Sequence, residues 1–94
     1  MFILAAMKRT VHSVKFHKPV VVQPGRVHRD RVVITLADAA EILLRDWPIA
    51  ESKKRTAAMQ ACLQVIRGEK PPRVARQAFI AAAKDARIFL GEQA

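Results

Sequence analysis

Three histidines (His12, His17, His28), one cysteine (Cys62) and a short row of carboxylates (Asp38, Glu41, Asp46) are the residues whose types could ligate a metal or do nucleophilic or acid–base chemistry. A metal site needs three or four convergent ligands. No HxxxH pair occurs, and Cys62 stands far along the chain from the histidines. As a nucleophile Cys62 would need a base or a positive field beside it. Its helical neighbours three and four positions away are Ala58, Met59, Val65 and Ile66, which supply neither. The expectation is a small core residue. Asp38, Glu41 and Asp46 are spaced as a solvated helix face, and no glycine-rich phosphate loop or nucleophile elbow is present. The residues therefore point to no catalytic constellation, no metal and no cofactor, and an enzyme is not expected.

The remaining chemistry is positive charge. The chain has 17 Lys+Arg against 8 Asp+Glu, a formal net charge of +9. It is blocky: residues 1–36 carry a strong excess of bases, residues 37–50 are net acidic, residues 51–76 are basic again and residues 77–94 balance. Lys53, Lys54 and Arg55 fall at a predicted helix start, where the macrodipole disfavours cations. Arg73 and Arg76 open the next predicted helix. These five are the candidate anion or nucleic-acid contacts, able to give phosphate backbone a salt-dependent affinity. A helix-turn-helix is an alternative for the two helices, with Arg73, Arg76 and Gln77 opening a recognition helix. The first of the pair is long for that motif, and aromatic residues for stacking on RNA are scarce. A plain helical hairpin on a sheet is the commoner arrangement, and charge that only keeps a small domain soluble is the simplest account.

These side chains must be carried by one compact domain, since 94 residues with 51% hydrophobic and 27% charged content suit a single modest core. One cysteine excludes an intrachain disulfide and a multi-cysteine metal site. No apolar run approaches the ~20 residues of a membrane helix. The apolar start Met1-Phe-Ile-Leu-Ala-Ala precedes Lys8-Arg9, the reverse of a secretory signal, so the cytoplasm is expected. Met7 is an alternative start, with residues 1–6 as an upstream extension.

Residues 15–94 read as the folded domain, with 1–14 as an extension. Lys15–Gln23 and Arg26–Ile34 are rich in β-branched residues and predict an antiparallel hairpin around Pro24-Gly25, through a connection longer than a tight turn. Pairing about that dipeptide sets His28 opposite Val21 and His17 opposite Val32. Pro19 cannot donate to a ladder, which puts the first strand at an edge or starts it at Val20. Thr35 and Asp38 form a capping box for a helix to about Asp46, stopped by Pro48. Its inward face is Leu36, Ala39, Ala40, Leu43, Leu44 and Trp47, with a Glu41–Arg45 pair outside. Ser52 caps a second helix to about Arg67, with Ala58, Met59, Cys62, Leu63 and Ile66 inward and Gly68 as its left-handed stop. Pro71-Pro72 opens a third helix to about Arg87, with Ala75, Ala78, Phe79, Ala82, Ala83 and Ala86 inward. Ile88-Phe89-Leu90 closes the core or adds a short strand. The order is ββααα, an α+β fold with a two- or three-stranded antiparallel sheet packed against three helices.

From Pro19 to about Ile88 the chain resembles a family of short alphaproteobacterial proteins, best represented in rhizobia, that is classed as a domain of unknown function. The residues that carry the resemblance are Pro19-Val-Val-Val22, Ala39-Ala-Glu-Ile-Leu-Leu44 with Trp47-Pro48, Ala57-Ala58 with Cys62, Gly68, and Arg76-Gln-Ala-Phe-Ile-Ala-Ala-Ala83. Many relatives carry a glycine near Ser52 and a histidine near Arg55, so any role of that histidine is absent here, and around Arg73 and Val74 they tend to be acidic. The resemblance implies a small α+β fold and supplies no catalytic residue, cofactor or partner. The function expected is a small non-enzymatic protein-interaction domain, extending to a homodimer through an exposed strand edge. A weak nucleic-acid binder using Lys53, Lys54, Arg55, Arg73 and Arg76 is the alternative, and no membrane partner is expected.

Overall fold

The computed structural model describes residues 14–25 and 29–93. His12, His28, the choice between Met1 and Met7, and the expected start of a strand at Arg26 lie outside the described residues. The elements are β1 (Lys15–Val22), β2 (Arg31–Thr35), α1 (Leu36–Glu41) running into a π-helical segment (Ile42–Asp46), α2 (Lys53–Ile66), α3 (Pro72–Asp85) and β3 (Phe89–Glu92). The α+β order ββααα is as expected, and the third strand forms.

The sheet has the order β2-β1-β3, with both neighbours antiparallel to β1. β1 is thus central, not an edge. It tolerates Pro19 because the β1–β2 ladder is irregular between Lys15 and Val20, where a missing N–H breaks no regular rung. The Pro19 carbonyl still accepts from the Gln93 N–H at 3.0 Å. The hairpin register also departs from expectation, because Val21 pairs with Val32 and Val22 with Arg31. Pairing is set by the run Val32-Val33-Ile34, which places Val33 in the core beside Val20. Arg29 and Asp30, ahead of Arg31, lie outside the strand.

Thr35 caps α1 as expected. Its Oγ1 accepts from the Asp38 N–H at 3.1 Å, and Asp38 Oδ2 accepts from the Thr35 N–H at 3.1 Å and the Ile34 N–H at 3.2 Å. The helix then widens. A π-helical turn holds more residues than an α-turn, so the side chains beyond Glu41 rotate away from the α register. Ile42 and Leu43 are buried, while Leu44, expected inward, is 60% exposed. The Glu41–Arg45 pair is not made. Asp46 instead reaches Arg31 of β2 at 3.1 Å. Trp47 turns extended (ψ 130°) ahead of Pro48, ending the helix.

Ser52 Oγ accepts from the Arg55 N–H at 3.2 Å and so caps α2. The inward stripe of α2 is Ala58, Ala61, Cys62 and Val65, with Met59 and Ile66 half-buried and Leu63 turned outward. Small residues take the inner positions because α3 packs along this face with its own Ala75, Ala82 and Ala83. Gly68 (φ 76°) ends α2 in a Schellman motif, with the Glu69 N–H on the Gln64 carbonyl at 2.8 Å. The same motif ends α3, but Arg87 occupies the left-handed position at φ 60°. Its neighbour Ile88 donates to the Ala83 carbonyl at 2.9 Å. Phe79 is the largest fully buried side chain, amid Val20, Val22, Val33, Leu36, Ile42 and Leu43.

Candidate functional site

Antiparallel packing decides where the five candidate bases stand. α2 and α3 form a hairpin, and Ser52 Oγ at the start of α2 contacts Asp85 Oδ2 at the end of α3, 3.4 Å away. Lys53, Lys54 and Arg55 therefore lie at one end of the pair, and Arg73 and Arg76 at the other. A 14-residue helix spans about 21 Å. The five do not form one continuous basic face.

Two of the five also direct their donors inward. Arg55 Nε donates to the Leu43 carbonyl at 2.7 Å and Nη1 to the Ala50 carbonyl at 3.0 Å, tying the start of α2 to the π-helical segment and to the chain that follows it. Arg76, 6% exposed, donates from Nε to the Lys18 carbonyl at 3.0 Å and pairs through Nη2 with Glu92. Lys53, Lys54 and Arg73 face solvent.

Arg73 and Arg76 instead share a cleft of about 280 Å³ with Lys15, Phe16, His17, Pro71 and Pro72. Sequence reasoning did not group Lys15 and His17 with these arginines. No local pattern could, because β1 and α3 meet only through tertiary contact. Glu92 lies beside this region. Its carboxyl is held below its ordinary range by the hydrogen bond from Arg76, against a smaller opposing desolvation and with help from the positive charges of Arg76, Lys18 and His17.

Among the described residues, two apolar surfaces stand exposed. One is a groove of about 280 Å³ between α1 and α2, lined by Ala40, Leu44, Met59, Cys62, Leu63 and Ile66. The Cys62 thiol at its floor is pushed up to about 11 by burial, which keeps it protonated and unreactive at neutral pH. The other is the sheet face opposite the helices. Val20, Val22 and Val33 point to the core, so Val21 and Val32, paired in register, point away from it. Val32 is 41% exposed, Ile34 45% and Leu90 52%. An antiparallel sheet with one face in water normally alternates to polar residues there; β1 does so at Lys15 and His17, while Val21, Val32, Ile34 and Leu90 form an apolar stretch beyond them.

Among the described residues no three His, Cys, Asp or Glu side chains are grouped as a metal site would require, and no helix is long and apolar enough to cross a membrane.

A family model described as a protein of unknown function, DUF982, matches residues 18–90. These limits nearly coincide with the Pro19–Ile88 span of the sequence resemblance. The fold is similar to the NMR structure of the Agrobacterium tumefaciens protein Atu1219, a structural-genomics target. The TM-score is 0.69 and the identity 26%, with 86% of this chain and 80% of that chain covered. No curated protein matches the chain.

Proposed function

The chain belongs to the DUF982 family of unknown function, and we propose that it works as a non-enzymatic protein-interaction domain that pairs with a second copy of itself through β2. The supporting observation is the row of outward apolar side chains, Val32 and Ile34 on β2 beside Val21 on β1. Among the described residues β2 is an edge strand with no strand on its outer side, and that edge can take a further strand. Antiparallel β2–β2 pairing about a two-fold axis continues the sheet and sets the two Val32–Ile34 rows side by side, the self-complementary arrangement of an isologous dimer. The free, buried thiol of Cys62 suits a reducing compartment and supports a cytoplasmic location.

Light scattering on the eluting protein tests this reading. A dimer mass is expected for the wild type and a monomer mass for Ile34→Lys, whose position is outward, so the core is left intact. A wild type that stays monomeric at high concentration overturns it. The nucleic-acid reading would need Lys53, Lys54, Arg55, Arg73 and Arg76 on one surface, and their separation to opposite ends of the helical hairpin favours the apolar contact instead.

A further inference from the structure

We propose that the cleft between β1 and the first turn of α3 is a binding site for a small phosphate monoester. Every titratable side chain lining it is a base: Lys15 and His17 from β1, Arg73 and Arg76 from α3. Among the described residues, no carboxylate stands within ion-pair distance of Lys15, His17 or Arg73. Glu92 offsets one charge by pairing with Arg76, and the surplus remains positive.

Like charges gathered in a partly enclosed cleft repel one another, and a compact dianion relieves that repulsion more than a monocarboxylate does. Arg76 is fixed in place by the Lys18 carbonyl at 3.0 Å, so its charge is preorganised and needs no ordering when a ligand arrives. Arg73 and Lys15 are exposed and free to close on phosphate oxygens, where charge-assisted hydrogen bonds are strongest. Phe16, Pro71 and Pro72 contribute apolar wall, which suits the organic part of an ester better than free phosphate. At about 280 Å³ the cleft lies just under the usual range for small-molecule sites, so the ligand is small.

The site shares no residue with the β2 face, so it stands or falls separately from self-association. The test is a ¹H–¹⁵N NMR titration of the full chain with phenyl phosphate, inorganic phosphate and acetate. Saturable shifts are expected at Lys15, His17 and Arg73, tightest with phenyl phosphate and absent with acetate. Arg73→Gln should weaken binding about tenfold, while Lys53→Gln, an equal loss of charge at the other end of the hairpin, should leave it unchanged. Three results overturn the proposal: acetate acting as phosphate does, Lys53→Gln weakening binding as much as Arg73→Gln, or shifts reaching the Lys53–Lys54 end, as contact with a nucleic-acid backbone would give.

Discussion

Arg76 on α3 donates its Nε–H to the main-chain carbonyl of Lys18, 3.0 Å away on β1. The contact joins residues 58 apart in sequence and lies beneath the irregular stretch of β1. With Glu92 on the same guanidinium, one side chain links the helical layer to the central strand and an edge strand. Arg76→Met should lower unfolding free energy by about 1–3 kcal/mol in urea denaturation, because the part-buried Lys18 contact loses its charged donor. Arg76→Lys should recover little of this, since a single ammonium cannot reproduce the planar fork.

The lowered pKa of Glu92 fixes the sign of an acid effect. Its folded value lies below its unfolded one, chiefly through the Arg76 hydrogen bond. The stabilisation is fully present above the unfolded pKa and is lost as pH falls through the folded value. Denaturation midpoints followed from neutral pH down through the carboxylate range should show a shallower decline in Glu92→Gln than in the wild type.

Cys62 predicts the opposite limb. Its thiol is pushed up from 9.0 to about 11 by burial. The unfolded chain therefore ionises first, and stability present below pH 9 should drain away as pH rises towards 11. Alkylation of the native protein at neutral pH should be slow and should accelerate with added denaturant. Cys62→Ala should make the decline between pH 9 and 11 shallower.

The two Schellman endings make a matched pair. Gly68 at φ 76° should resist substitution, with Gly68→Ala costing about 1 kcal/mol. Arg87 holds the same backbone region at φ 60° with a Cβ in place, so Arg87→Gly should raise stability by roughly 0.5–1 kcal/mol. Thermal melts of the two variants should shift in opposite directions.

Trp47 meets Phe79 edge-on, with ring centroids 5.7 Å apart at 65°. Its buried Nε1–H has no partner among the described residues. Trp47→Phe should therefore change stability by less than about 1 kcal/mol, whereas Trp47→Ala should lose about 3 kcal/mol or more. Calorimetry on both variants distinguishes ring packing from any role for the indole N–H.

Caps and stops were legible in the residues because each is a local bargain between a side chain and nearby backbone. Thr35 with Asp38, Ser52, Gly68 and Trp47-Pro48 all stand where their chemistry indicates. Faces were less legible. Leu44 and Leu63 fit an ideal helical stripe, yet both are exposed. The π-helical segment turned the first, and the α3 contact drew Ala61 and Val65 inward in place of the second. Register was missed because Pro24-Gly25 suggested a centre that the Val32–Ile34 run overrode. The cleft was half visible: Arg73 and Arg76 were identified, but Lys15 and His17 join them only through the packing of β1 on α3.

The strand order β2-β1-β3 has a consequence for biosynthesis. β1 emerges from the ribosome well before β3, yet one of its two ladders forms only with residues 89–92. Until then the central strand offers an open edge in the nascent chain, along with the Lys18 carbonyl that Arg76 will claim. Folding of this domain therefore waits until residues 89–92 have been made, and deletion of residues 89–93 should leave a chain that chaperones retain rather than a shortened native domain.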